Sequence, residues 1–538
     1  IKEKTLSPDD LIKKILTSRV DLIWNGGIGT YAKASSETHD QVGDKSNDAL
    51  RVNANELRCK IVGEGGNLGF TQRARIEYAR QGGRINTDAI DNSAGVDCSD
   101  HEVNIKIALR EAVASNKITV AQRNKLLEKM TDEVGLLVLR DNELQTQALT
   151  IMENQKHKIV EDNIRLMEML TKEGRLDRAI EFLPSNEQLQ QRVNAKQGLT
   201  RPELAVLLAY SKLYIFDDLI ASNLPDDPYF EKDLINYFPT QMREKFLPQI
   251  KGHQLRREII TTVVANSIVN RTGTTFYQRV KDETGLKGCD IARAYTIVRD
   301  TFGLRKIWEE IEQLGTNVSI STMKELYGEV DILIERVANW YLRNFPHPLQ
   351  TGEIISDFAP KVEEVAKILE SLVSKVEKDA IEAKVQKYTS QNVPKPLAYK
   401  IAILDALGSS PDIILVSRKT KLPLKVAGQV YFEVGNRFKI GWLRIEARKL
   451  FGETRWDDLA VKTLISIFYD QQMSLTEDVL KKGCDAKSCV ITLEKWLESK
   501  KKLIGRYSNF IMDIQTQERI TSSMLTVAVE RVNGVLGG

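Results

Sequence analysis

Cysteine is sparse in this chain: five in 538 residues, at Cys59, Cys98, Cys289, Cys484 and Cys489. The number is odd, no C-x-x-C pair occurs, and only Cys98 stands near a histidine, His101. That pattern argues against a disulfide framework and a structural metal, and for a reducing compartment. Long apolar runs are missing as well. With no stretch of about 18 apolar residues, and no basic start leading into an apolar segment, a soluble, unsecreted, cytoplasmic protein is expected. Nor is there an excess of charge of one sign: 77 basic residues face 74 acidic ones, for a net +3. So balanced a surface gives no electrostatic case for nucleic acid or for an anionic membrane.

What is present reads as an ordinary globular composition, 42% hydrophobic and 28% charged, in a chain long enough for two to four domains. It begins at Ile1 rather than methionine and runs almost at once into a helix capped by Ser7 with Pro8 at its first position. A piece of a longer subunit is therefore expected.

Residues 1–115 alternate short apolar strand runs with helical segments. Val20–Trp24 and Lys60–Val62 read as strands, each running into a glycine turn. That alternation predicts a parallel sheet with its ligand loops at the carboxyl ends of the strands. From about residue 103 helical periodicity takes over, and S/T-x-x-E boxes at Thr200–Glu203 and Ser474–Glu477 read as helix starts. Val362, Val365, Leu369, Leu372 and Val376 keep heptad spacing over only two repeats, which fits a helical hairpin in a bundle better than a coiled coil. Proline-rich breaks at 223–228 and 345–352 mark sub-boundaries. The expected fold class is α/β followed by all-α: the C-terminal part of a Rossmann-type dinucleotide-binding domain over 1–115, then helical regions over 116–345 and 346–538.

Four features bear on chemistry. Gly27-Ile28-Gly29-Thr30-Tyr31-Ala32 has the G-x-G-x-x-A form, but it runs into a polar stretch rather than a helix, so a strand-end turn is the better reading. Glu64-Gly65-Gly66-Asn67 pairs glycines that let backbone approach a ligand with an amide that donates and accepts. A plain β-turn with a left-handed Asn reads equally from those residues. Asn92-Ser93-Ala94-Gly95-Val96 leads into Ser99 and Glu102, where Ser99 reads as a helix N-cap, and a hydroxyl there would also attract a carboxylate. Lys45 and Arg51 are open to a phosphate contact or to simple solvation, and Cys98 with His101 lacks a third metal ligand.

The order of these segments resembles the late coenzyme-domain part of glutamate dehydrogenases, in which a D-x-L-I strand end, an E-G-A-N loop and an N-A-G-G-V-x-x-S-x-x-E segment come one after another. WNGGIGTYAKASSE, VGDKSNDALRVN, EGGNLGFTQRARIE and NTDAIDNSAGVDCSDHEVNIKI are similar to the large NAD-specific glutamate dehydrogenase family of bacteria, as is GLTRPELAVLLAYSK at 198–212. The resemblance implies oxidative deamination of L-glutamate to 2-oxoglutarate and ammonia, with NAD as cofactor. It implies cofactor contacts at Asn25, Gly26, Gly65, Gly66, Asn67 and Asn92, and substrate contacts at Asn92, Val96 and Ser99, the last holding the distal carboxylate. The lysine and aspartate that run the family's proton transfers match nothing in this chain and are expected upstream, so the chain alone should not turn over. A homo-oligomer of the full-length subunit, with no nucleic-acid or membrane partner, completes the expectation. Two rivals stay open: a dehydrogenase of an apolar amino acid, against which Ser99 speaks, and a non-catalytic helical assembly or regulatory module.

Overall fold

The computed structural model describes residues 5–155, 159–452, 455–481 and 489–537, and Cys484 lies outside them. The chain forms two compact units, Ile1–Ala292 and Arg293–Gly538. Helix accounts for 74% of it and strand for 3%. The expected α/β Rossmann-type part is therefore corrected to a mostly helical fold. Among the described residues the strands are only β1 (Leu22–Asn25), β2 (Ala32–Lys33), β3 (Val52–Asn53) and β4 (Ile61–Glu64). They make two separate two-stranded ribbons, β1 with β4 and β2 with β3. The physical reason lies in the residues that bound each apolar run. Gly26-Gly27 stops β1 and Gly65-Gly66-Asn67 stops β4, after four residues in each case. Runs so short and so closely bounded by strand breakers cannot extend into a continuous sheet.

Pairing of β1 and β4 is parallel, with Leu22 opposite Ile61 and Asn25 opposite Glu64. Both glycine turns therefore leave the same end of one ribbon. Behind them Ala32, Val52, Val62, Phe70, Ala74 and Tyr78 form a small apolar core. The helix Pro8–Leu16 starts as its sequence dictates, the Ser7 hydroxyl accepting the amide of Asp10.

Later helices build a scaffold around this segment within the first unit. Asp88–Asp91 leads through Asn92 into Ser93–Ala114, which packs on the 36-residue helix Val120–Gln155. Helices Arg201–Ile220 and Arg256–Thr272 pack on each other and on that long helix. The Thr200–Glu203 box caps Arg201–Ile220 in both directions, and Glu203 also receives Arg192 at 2.8 Å. The Ser474–Glu477 box, by contrast, lies inside the helix Arg455–Lys481. There Thr476 donates to the carbonyl of Gln472 at 2.7 Å and Glu477 pairs with Lys419 at 2.6 Å, so neither group caps a terminus.

The second unit is helical throughout its described residues. Val362, Val365, Leu369 and Leu372 are buried on helix Thr351–Leu372, which ends there. Val376 lies beyond the break, exposed on the next helix, Lys375–Ser390. The heptad spacing is therefore one buried stripe within a bundle. Asp412, buried in that bundle, accepts from Trp340 at 2.7 Å and from Tyr431 at 3.0 Å, which satisfies a group otherwise costly to bury.

Candidate functional site

The two glycine turns approach each other closely. A Cβ on Gly66 would stand 2.5 Å from the carbonyl oxygen of Gly27, and one on Gly65 would strike the Trp24 ring at 2.8 Å. The glycines thus bring loop against loop and loop against indole. Across the gap the amide of Gly66 donates to the carbonyl of Asn25 at 3.0 Å. Gly26 is exposed at the turn. The Asn25 side chain turns inward beside Gly69, where a Cβ would meet its Nδ2. After Gly27–Thr30 the chain enters β2 rather than a helix, which removes the nucleotide-fingerprint reading of that glycine pattern.

A buried ion pair braces the second turn. Glu64, at the end of β4, takes two hydrogen bonds from Arg75, at 2.7 and 2.9 Å, and accepts the amide of Phe70 at 3.1 Å. Arg75 also reaches Asp88 at 3.1 Å, and Asp88 accepts the amide of Leu68 at 2.8 Å. The loop that carries Asn67 is so tied to the helix turn that precedes Asn92. Asn92 then donates its side-chain amide to the side-chain carbonyl of Asn67.

Asn92 precedes a helix, and here the expected capping pattern needs correction. The helix opens at Ser93, about two turns before the expected start, because Asn142 of the long helix secures its entrance. The Asn142 amide donates to the carbonyl of Ile90 at 2.8 Å and to the hydroxyl of Ser93 at 3.0 Å. Ser99 is therefore not a cap. It is exposed, one turn beyond Val96, with its hydroxyl donating to the carbonyl of Gly95 at 3.2 Å.

Asn67, Asn92 and Val96 line one cavity of about 440 Å³, and Ser99 does not. The far wall was invisible in the sequence. It consists of Asp97 on the same helix, Asp141 and Gln145 on the long helix, Lys212, and Asn266 with Asn270. Lys212 ends the GLTRPELAVLLAYSK segment, a position whose place in the cavity its helical periodicity does not reveal. Its helix is held in place by Arg201, which donates to Asn86, to the hydroxyl of Thr150 at 2.9 Å and to the carbonyl of Thr146 at 2.9 Å.

The charges of this wall are strongly perturbed. Burial, reinforced by Asp141 and Asp100, pushes Asp97 up to about 7. Burial raises Asp141 and depresses Lys212 to about 8. His101, one turn past Asp97, is buried against Tyr237 with ring centroids 4.4 Å apart, and burial holds it down at about 4. It is a neutral imidazole at neutral pH. Ligand atoms of Asp97, His101 and Asp141 lie within 4.8 Å of one another, while Cys98, which adjoins His101 in sequence, is exposed.

Two other candidate residues are resolved plainly. Arg51 is buried, donating to the carbonyls of Thr30 and Asp44 and to Asp48, all at 2.5–2.8 Å, so it braces a loop and has no free face for phosphate. Lys45 is exposed. No helix among the described residues is long and apolar enough to cross a membrane.

Comparison with known proteins accounts for nearly the whole chain. Residues 1–152 match the family described as bacterial NAD-glutamate dehydrogenase, catalytic domain, and residues 196–534 match glutamate dehydrogenase, C-terminal. The chain is 41% identical over 528 residues to the NAD-specific glutamate dehydrogenase of Pseudomonas aeruginosa, covering 98% of this chain and 33% of that protein. For the Halomonas elongata protein of the same name the identity is 39% over 533 residues, covering 99% and 33%. For that of Mycobacterium tuberculosis it is 37% over 527 residues, covering 98% and 32%. The chain spans about a third of the length of these relatives.

Proposed function

This chain belongs to the bacterial NAD-glutamate dehydrogenase family, and we propose that it forms one wall of the cleft in which such an enzyme oxidises L-glutamate to 2-oxoglutarate and ammonia. The observation that carries the reading is the meeting of Asn67 and Asn92. Two loops 25 residues apart present their carboxamides to each other at the rim of a single cavity.

NAD would supply the hydride acceptor. The donor set suits it: Asn67 is exposed on a turn, and its own amide group is left to donate to a ribose hydroxyl or a nicotinamide carboxamide. Asn92 orients Asn67 by bonding its carbonyl oxygen. Gly65 and Gly66 keep that turn low against Trp24 and Gly27, so no side chain stands between the loop and a flat ring. Val96 offers an apolar contact to the methylenes of the substrate. The Ser99 hydroxyl, one turn on, can rotate from the Gly95 carbonyl to a carboxylate on the solvent side.

We also take the intact protein to be a cytoplasmic homo-oligomer, the helical region after residue 115 serving assembly or regulation. Light scattering on the full-length protein tests the oligomer. The function is tested by measuring NADH formation with the full-length protein. Glutamate should be oxidised with a kcat/KM at least about a hundredfold above that for leucine or phenylalanine, the discrimination a site that hydrogen-bonds the distal carboxylate provides over substrates that lack it. Comparable turnover of an apolar amino acid would reverse the assignment of substrate.

A further inference from the structure

The cavity behind Asn67 and Asn92 has polar groups that the hydride-transfer reading leaves unused. Its buried atoms without a partner among the described residues are acceptors: Oδ2 of Asp97 and Oδ1 of Asn270, a residue only 5% exposed. Its charges lean the same way. Asp88 is already paired with Arg75, which leaves Asp97, Asp100 and Asp141 facing a single cation, Lys212. Lys212 donates to Gln145 at 3.2 Å rather than to any of the three carboxylates. Buried acceptors without donors are costly, and they cluster where a ligand supplies the missing hydrogens.

We propose that this cavity is an ammonium site, in which NH4+ donates to Asp97 Oδ2, Asn270 Oδ1 and the Asp141 carboxylate. The proposal rests on the glutamate dehydrogenase reading, whose reaction releases ammonia in one direction and consumes it in the other. A dicarboxylate is excluded from this end of the cleft by the excess of negative charge. A divalent metal fits poorly for two reasons. The Lys212 ammonium shares the cavity, and His101 Nε2 stands 4.0 Å from Asp97 Oδ1, wider than the edge of about 3.3 Å in a zinc tetrahedron. Lys212 balances part of the acidic charge when the site is empty, so the wall need not collapse.

The test uses the full-length protein and its Asp97→Asn and Asn270→Leu variants, melted in ammonium, potassium and sodium chloride at equal ionic strength. Ammonium should raise the melting temperature of the wild type above either alkali cation, and both variants should lose that difference. In reductive amination each variant should raise the KM for ammonium about tenfold while the KM for 2-oxoglutarate stays within about twofold. No ammonium-specific shift in the wild type, an equal shift with potassium, or a larger one with magnesium or zinc chloride would overturn the site. An ammonium shift without reductive amination would instead sink the dehydrogenase reading and leave the cation site standing. Two variants guard against misfolding, since Asn270→Leu keeps the number and branching of the side-chain heavy atoms and adds no charge, while Asp97→Asn is nearly isosteric.

Discussion

The side-chain amide of Asn92 donates to the side-chain carbonyl of Asn67, and this bond joins the turn after β4 to the start of helix Ser93–Ala114. It fixes which way Asn67 faces. Its carbonyl oxygen is engaged, which leaves its amide group as the donor.

Removing either partner should therefore act on coenzyme binding rather than on folding. Asn67→Ala in the full-length protein should weaken NAD about tenfold by calorimetric titration, the loss of one or two hydrogen bonds. Asn92→Ala should weaken it less, about threefold, because Asn67 remains but is no longer oriented. Unchanged affinity in both variants would remove Asn67 from the coenzyme site.

Gly66 answers to a steric constraint. Its missing Cβ is the space occupied by the Gly27 carbonyl, 2.5 Å away, and that contact is backbone, which cannot swing aside. Gly66→Ala should push the two turns apart and abolish NAD binding, with a stability loss of about 1–3 kcal/mol. Gly43→Ala is a control: it has the same left-handed backbone penalty as any non-glycine residue at φ +76 but open space around it, and should leave NAD affinity intact.

Stability should fall as pH rises through the range where Asp97 ionises. Its folded value of about 7 lies above the unfolded 3.8, so the folded chain holds the proton more tightly. The residue therefore costs nothing below about pH 4, costs progressively more up to about 7, and reaches its full penalty above that. Asp97→Asn removes this penalty. Calorimetry should show the variant stabilised by about 1–2 kcal/mol at pH 8 and nearly unchanged at pH 4, after allowance for the partial exposure of the group.

Arg75→Met should damage the loop through Glu64. The carboxylate is fully buried and loses its double hydrogen bond, a change that costs about 3–5 kcal/mol when one member of a buried pair is removed. Hydrogen exchange at the Leu68 and Phe70 amides should accelerate. Adding Glu64→Gln should recover part of the loss, since an amide tolerates burial better than an unpaired charge.

What could be read from the sequence was local. Gly65-Gly66-Asn67, Asn92 and Val96 stand in turns and at a helix start whose residue types announce themselves within a few positions. The Thr200–Glu203 cap was legible for the same reason. Ser99–Glu102 has an identical signature, yet Asn142, 43 positions beyond Ser99, opens that helix earlier. The expected parallel sheet is only two short ribbons, because an apolar run of three or four residues looks the same whether or not its neighbours let it extend. Arg51 looked solvated, but its partners on Thr30 and Asp44 come from a fold that charge counting does not see. Asp141, Lys212 and Asn270 lie on three different helices and carry no motif. Only the packing of Val120–Gln155, Arg201–Ile220 and Arg256–Thr272 brings them to one wall.

A crystal structure of the full-length protein with NADH and 2-oxoglutarate tests the central claim most directly. The account predicts the nicotinamide ribose within hydrogen-bonding distance of Asn67, and the oxoacid between that ring and Val96. A nicotinamide bound elsewhere, with Asn67 and Asn92 still facing only each other, would contradict it.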